Sequence, residues 1–91
     1  MPAEIITSQM ETATGREIIF IMDDFGTEFQ LYVSVKDAAN RQGHIDAALL
    51  QQSANEKNIE DYAAQHGIDI SAERVAGKQK KDAAKSRAQR G

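Results

Sequence analysis

The sequence contains no cysteine and no tryptophan, one proline, three phenylalanines and two tyrosines. Without cysteine the chain has no disulfide, no thiolate nucleophile and no Cys-ligated zinc or iron–sulfur site, and we expect a reducing, cytoplasmic location. Its longest apolar run, residues 18–22, is five residues long, whereas a membrane-spanning helix needs about 20. These absences argue against a disulfide scaffold, a thiol enzyme and a helical membrane protein.

The hydrophobic content supports only a small core. Of the 91 residues 41% are apolar, but 14 of them are alanine, so we expect one small domain. So few large apolar side chains hardly enclose a substrate pocket of roughly 300 Å³ or more. We therefore expect no enzymatic activity and no cofactor. His44 and His66 have no acid at a ligand spacing, and no metal site is expected.

Residues 17–35 predict a β-hairpin. Phe29, Leu31 and Val33 alternate with polar residues, which is the period-2 pattern of a strand with one buried face. Residues 18–22 are apolar without interruption and rich in isoleucine, as in a strand covered on both faces. The segment between them contains two aspartates and Gly26, which can take a positive φ in a turn.

Residues 1–15 allow two interpretations. Ser8 and Glu11 have the spacing of a capping box, which favours a short helix over residues 9–13. Ile5 and Ile6 favour a short edge strand instead.

The pattern becomes helical after Val35. Ser34 can cap a short helix that runs towards Arg41, with Gly43 as its stop.

Residues 44–66 predict either one helix or two. Ser53 begins a second capping box, which suggests that one helix ends near Gln52 and another begins near Ala54. A single continuous helix is the alternative. In both cases Gly67 is expected to end the segment, with Ile68 folding back on the last turn as in a Schellman motif.

The charge of the chain is divided between its two parts. Residues 1–70 carry four basic and twelve acidic residues, a net of −8, whereas residues 71–91 carry seven basic and two acidic residues, a net of +5. We therefore expect a small acidic domain over residues 1–70 and a basic C-terminal tail over residues 71–91, helical or partly disordered. The basic residues of the tail are Arg74, Lys78, Lys80, Lys81, Lys85, Arg87 and Arg90.

A helical tail would align part of this charge. Arg74, Lys78, Lys81 and Lys85 would form one stripe that could follow phosphates. The tail has no aromatic side chain to stack on a base and no groove-reading motif, so only sequence-independent nucleic-acid binding is expected of it. A solvated tail resting on the acidic domain and a contact with an acidic protein surface are the alternatives.

Acidic residues crowd the hairpin turn and the first half of a predicted helix. Turn geometry and the helix dipole explain most of them locally, and a basic partner is the functional alternative. These residues are Asp23, Asp24, Glu28, Glu56, Glu60 and Asp61.

One face of the first hairpin strand carries Ile18, Phe20 and Met22. A single layer of helices covers only one face of a sheet, so this face must be covered by residues 1–15, by the tail or by a second chain. In the last case it would be the interface of a homodimer or of a complex with a partner.

The sequence thus predicts a small α+β domain, in which a hairpin or a three-stranded sheet is packed by two or three short helices, with a basic C-terminal extension. The function hypothesis is a non-enzymatic protein-binding module, an adaptor or inhibitor of a larger machine, by analogy with small accessory proteins of mobile elements. The alternative is a nucleic-acid-associated protein that binds phosphates through its tail.

Overall fold

The computed structural model describes residues 3–90, without the side chain of Arg90. Three strands form an antiparallel sheet of order β1-β2-β3. The predicted α+β class with a three-stranded sheet is confirmed, whereas the basic C-terminal extension is not. The elements are β1 (Glu4–Glu11), β2 (Arg16–Met22), β3 (Glu28–Ser34), a 3₁₀ helix (Val35–Asn40), α1 (Arg41–Gln65) and α2 (Ser71–Arg90).

The central strand β2 is buried on both of its faces, as its uninterrupted apolar run predicts. Its first face carries Ile19 and Ile21, which pack with Val33 of β3 and with Ile45 and Ala48 of α1. Fully burying an isoleucine side chain contributes about 1.5–3 kcal/mol. The predicted hairpin of β2 and β3 is present, and Gly26 in its turn has φ +76°.

The N-terminal segment forms a strand, so the helix predicted over residues 9–13 is wrong. Ser8 and Glu11 pair with Ile19 and Arg16 of β2. A buried central strand needs hydrogen-bonding partners along both of its edges, and this requirement outweighs a local capping signal. A register shift between Ile5 and Thr7 makes β1 irregular.

The connection from β3 to α1 follows the sequence prediction in part. Ser34 caps the 3₁₀ helix, since its side chain accepts a hydrogen bond from the Lys36 N–H at 3.2 Å. Gly43 does not end a helix; it lies in the first turn of α1.

One continuous helix spans Arg41–Gln65, so the predicted break before Ser53 is wrong and the alternative of a single helix is confirmed. The end of α1 is the predicted Schellman motif: the Ile68 N–H donates to the Ala63 carbonyl at 2.8 Å, and the Gly67 N–H donates to the Ala64 carbonyl at 3.5 Å.

The second face of β2 is covered within the single chain. Ile18 and Met22 are only 6% and 3% exposed. By register Glu4 lies on this same face opposite Met22, and Lys81 and Lys85 of α2 form ion pairs with Glu4. We infer that α2 covers the Met22 end of this face while α1 covers the first face.

Candidate protein-interaction site

The turn that joins β2 to β3, residues 23–27, is held by the side chain of its first residue. Asp23 is buried, and its Oδ1 accepts hydrogen bonds from the backbone N–H groups of Phe25 at 3.0 Å and Thr27 at 2.9 Å. This Asx-type arrangement satisfies two backbone donors that the turn would otherwise leave unpaired. Asp23 therefore shapes the turn and is not part of an exposed acidic surface.

Both helices contact the same turn. The Asp24 N–H donates to Glu56 Oε1 of α1 at 3.1 Å, and Lys81 of α2 donates to Asp24 Oδ1. Gly77 of α2 lies directly against the turn, because a Cβ at this position would stand 2.3 Å from the Asp24 carbonyl oxygen and 2.5 Å from the Phe25 Cα. Only glycine permits this approach of helix and turn.

Burial and charge alter the titration of the groups around the turn. Burial raises the pKa of the Glu56 carboxyl above its ordinary value, and the negative charges of Asp23 and Asp24 raise it further. The hydrogen bond from the Asp24 N–H acts in the opposite direction and lowers the pKa. Burial acts to lower the pKa of the Lys81 ammonium, but its hydrogen bond to Asp24 and the nearby acidic charges outweigh that effect and raise it. The cluster thus favours a charged Lys81 and disfavours a charged Glu56.

The stripe of basic residues, for which phosphate binding and contact with the acidic domain were both open, is turned towards the body of the protein. Arg74 pairs with Glu60 of α1, and its guanidinium lies 5.4 Å from the centroid of the Phe25 ring. Lys81 pairs with Asp24, and Lys85 Nζ lies 2.8 Å from Glu4 Oε2. Three of the four stripe residues are therefore bound within the chain, and only Lys78 is exposed.

The remaining basic residues of α2 do not form one surface. Lys80 and Arg87 are exposed and lie seven positions apart on one side of the helix, whereas Lys78 is about 160° away around the helix axis. The side chain of Arg90 lies outside the described residues.

The predicted acidic surface is also largely occupied by internal contacts. Asp23, Asp24, Glu56 and Glu60 take part in the turn and helix contacts described above. Glu28 and Asp61 are exposed. The predicted acidic residues thus provide two exposed carboxylates rather than a patch.

Of the predicted interface strand, Ile18 and Met22 are buried and Phe20 is half-buried. The predicted interface strand is therefore largely covered by the chain itself. Sequence reasoning missed that β3 is an exposed edge strand, because it left open whether residues 1–15 would form a strand and thus which strands would be edges.

The register of β3 determines which of its backbone groups face outwards. The Asp23 N–H donates to the Thr27 carbonyl and the Val35 N–H donates to the Gly15 carbonyl, and both pairs extend the β2–β3 register, in which Ile19 lies opposite Leu31. Odd-numbered residues of β3 therefore bond to β2, and even-numbered residues point the other way. Three residues consequently direct both N–H and C=O groups to the outer edge of the sheet: Glu28, Gln30 and Tyr32. Ser34 directs its N–H to the same edge, but its carbonyl accepts the first hydrogen bond of the 3₁₀ helix that it caps.

The edge of β3 carries exposed apolar side chains on both faces. Phe29 is 39% exposed on the first face and Tyr32 is 48% exposed on the second. The Tyr32 ring is held in place, since its hydroxyl donates to Gln30 Oε1 at 2.8 Å and the Arg16 guanidinium lies 4.6 Å from its centroid. A fixed aromatic ring beside unpaired backbone groups suits protein recognition.

Two shallow grooves on the surface of residues 3–90 lie away from this edge and are lined by no residue of β3. One, of about 260 Å³, is lined by Asp24, Arg74, Val75 and Lys78. The other, of about 310 Å³, lies along α1 and is lined by Asp46, Leu49, Leu50 and Ser53.

Among residues 3–90 no cluster of three or more His, Asp or Glu side chains is arranged to hold a metal ion. Over the same range neither helix is long and apolar enough to span a bilayer.

Comparison of the chain with models of protein families, with curated proteins and with solved structures finds no match.

Proposed function

We propose that this protein is a non-enzymatic protein-binding module, of the adaptor or inhibitor kind, whose contact surface is the outer edge of β3. The observation that supports this most is the outer edge of β3, where Glu28, Gln30 and Tyr32 direct N–H and C=O groups outwards. The exposed rings of Phe29 and Tyr32 lie on the two faces of the same edge. An extended segment of a partner can add to such an edge as a further strand, with backbone hydrogen bonds supplying affinity and side chains supplying selectivity.

The alternative function, sequence-independent binding of nucleic acid through α2, has weaker support. Arg74, Lys81 and Lys85 are paired within the chain, and each phosphate contact that is not made removes about 0.9 from the slope of log affinity against log salt. We therefore expect a slope no steeper than about −3 for the exposed Lys78, Lys80 and Arg87 together.

The experiment compares how much partner protein is captured by immobilised variants of the intact chain. Deleting residues 71–91 would not separate the two functions, because the deletion would also remove the partners of Glu4, Asp24 and Glu60. Instead, one variant carries Gln30→Pro, which removes an outward N–H without touching the β2–β3 hydrogen bonds, and a second replaces Lys78, Lys80 and Arg87 by glutamine.

Each proposed function predicts a different result. The edge proposal predicts that capture of the partner protein is lost with Gln30→Pro and retained with the triple glutamine variant, while far-UV circular dichroism shows both variants folded. Capture that is retained with Gln30→Pro and lost with the triple variant would contradict it. Nucleic acid recovered in place of protein would favour the alternative.

A further inference from the structure

We propose that the partner of the β3 edge is a second copy of this chain: two β3 strands pair antiparallel across a two-fold axis at Leu31 and join the two sheets into one of six strands. This inference rests on the proposed function, because it uses the same edge and names what occupies it. Cyclic two-fold dimers are the commonest soluble oligomers, and their interfaces must be self-complementary.

The hydrogen-bond directions of β3 restrict the register of such a pairing. Even-numbered residues must face even-numbered residues across the axis, because only these have outward N–H and C=O groups. An axis at Leu31 places Gln30 opposite Tyr32 and Glu28 opposite Ser34 of the second copy, so that all seven residues of β3 are paired. The two Gln30–Tyr32 pairs would exchange two backbone hydrogen bonds each and the two Glu28–Ser34 pairs one each, about six in all, because the Ser34 carbonyl belongs to the 3₁₀ helix.

The neighbouring registers are less favourable. An axis at Gln30 would place Val33 opposite Thr27 in the turn, and an axis at Tyr32 would place Glu28 opposite Lys36 in the 3₁₀ helix. In both cases part of β3 faces residues outside the strand, and fewer than seven residues of β3 are paired. The seven-residue overlap at Leu31 is therefore the register that this strand fits best.

The side chains of β3 are complementary in this register. On the first face Phe29 lies opposite Val33, and Leu31 lies opposite Leu31 of the second copy, which would extend the apolar floor beneath both α1 helices. Aromatic pairs with β-branched residues are favourable cross-strand neighbours. On the second face Gln30 meets Tyr32, and Glu28 meets Ser34. No like charges stand opposite each other within the strand.

The two edges of the sheet differ in how well they are protected. The β1 edge is irregular between Ile5 and Thr7, and Lys81 and Lys85 of α2 pair with Glu4 near its start. Irregular pairing, lysine and a covering element are the usual devices that prevent strand addition. In contrast β3 contains no proline, no lysine and no register shift.

The first measurement is the molar mass of the intact chain by size-exclusion chromatography with light scattering over a dilution series. The proposal predicts that the mass rises from 10.0 kDa towards twice that value as concentration increases. Amide hydrogen exchange supplies a second readout. Because the N–H groups of Gln30 and Tyr32 face outwards, they should exchange rapidly in the monomer and become protected in the dimer.

Charge substitutions then test the register. Gln30→Lys with Tyr32→Lys places lysine opposite lysine in both symmetric pairs, and the dimer should weaken about tenfold or more. Gln30→Glu with Tyr32→Lys places opposite charges in the same pairs, and the dissociation constant should return to within about threefold of the wild-type value. Both positions are exposed, so neither variant disturbs the core.

The matched control places two lysines on the other edge strand, as Thr7→Lys with Gln9→Lys, at exposed positions of β1. This control should dimerise like the wild type. A chain that stays monomeric at every concentration, a control that weakens the dimer equally, or a Glu/Lys variant that is not restored would overturn the proposal. A monomeric chain that still captures another protein in a Gln30-dependent way would refute self-pairing but leave the proposed function standing.

Discussion

Lys81 is the residue whose replacement should best test how α2 is held. It is 6% exposed and lies within ion-pair distance of both Asp24 and Glu4. Lys81→Met keeps much of the length of the side chain and removes its charge. The acidic side chains of Asp24, Glu4 and Glu56 then lose the cation they share, while α2 loses an anchor to the β2–β3 turn.

The magnitude follows from the exposure of the groups left behind. Removing one partner of a buried pair costs about 3–5 kcal/mol, but the side chains of Asp24 and Glu4 are 24% and 38% exposed and can be rehydrated in part. We therefore expect the free energy of unfolding to fall by about 2–3 kcal/mol. For a domain of this size each kcal/mol shifts the midpoint of thermal unfolding by about 4–8 °C, so Tm should fall by about 8–24 °C.

Urea and thermal denaturation followed by circular dichroism measure this loss. The control is Lys57→Met, which removes the same charge from an exposed position on α1 and should change stability by less than about 0.5 kcal/mol. Combining Lys81→Met with Asp24→Asn should destabilise the protein less than the sum of the two single changes, by about 0.5–3 kcal/mol. A Lys81→Met variant as stable as the Lys57→Met control would refute the reasoning.

Three further variants test two other contacts at the turn and the pairing of Glu17 with Arg41 of α1. Gly77→Ala should lower the free energy of unfolding by about 2 kcal/mol or more, because its Cβ would meet the Asp24 carbonyl; an unchanged urea midpoint would contradict this. Glu56→Gln keeps an oxygen that accepts from the Asp24 N–H and removes a carboxyl group whose pKa is raised in the folded state. The variant should therefore be at least as stable as the wild type at pH 7, and its advantage should shrink as the pH falls towards 4.5. A variant less stable than the wild type at pH 7 would argue against this reasoning. The hydrogen bond from Arg41 lowers the pKa of Glu17 below 4.5, so the ionised Glu17 stabilises the fold above that pH and this stabilisation is lost on acidification. Glu17→Gln should therefore lose less stability than the wild type as the pH falls below 4.5. An equal dependence of the free energy of unfolding on pH in the two proteins would exclude the pairing.

Part of the fold can be predicted from the sequence because the signals are local. The apolar run of β2 and the alternation of β3 specify the hairpin, since side-chain periodicity directly reflects which faces are buried. The Ser34 cap and the Gly67 stop likewise depend on residues within a single helical turn.

The position of α2 could not be predicted from hydrophobic periodicity. Its buried positions include Gly77, Lys81 and Ala84, which together form no apolar stripe. α2 is held instead by a close approach at glycine and by ion pairs to residues more than 50 positions away, such as Lys81 with Asp24. Neither effect leaves a repeat in the sequence, and the same lysines therefore suggested a basic tail that is solvated on the acidic domain or bound to a partner.

The candidate site depends on a similar non-local fact. The alternation of β3 was visible, but its status as an edge strand with outward Gln30 and Tyr32 depends on β1 pairing with the opposite edge of β2. The capping-box spacing of Ser8 and Glu11 favours a helix over the residues that follow Ser8, whereas both residues pair with β2 in the structure. The local sequence signal thus differs from the long-range pairing that the fold requires.

Native-state amide hydrogen exchange tests most directly the claim that the basic C-terminal segment is part of the fold rather than a free tail. Because α2 packs on the turn through Gly77 and Lys81, the amides of its middle turns should be protected to within about tenfold of those of Ile19 and Ile21, in low salt and in high salt alike. Amides of α2 that exchange at the rate of an unstructured chain while those of β2 remain protected would contradict the account.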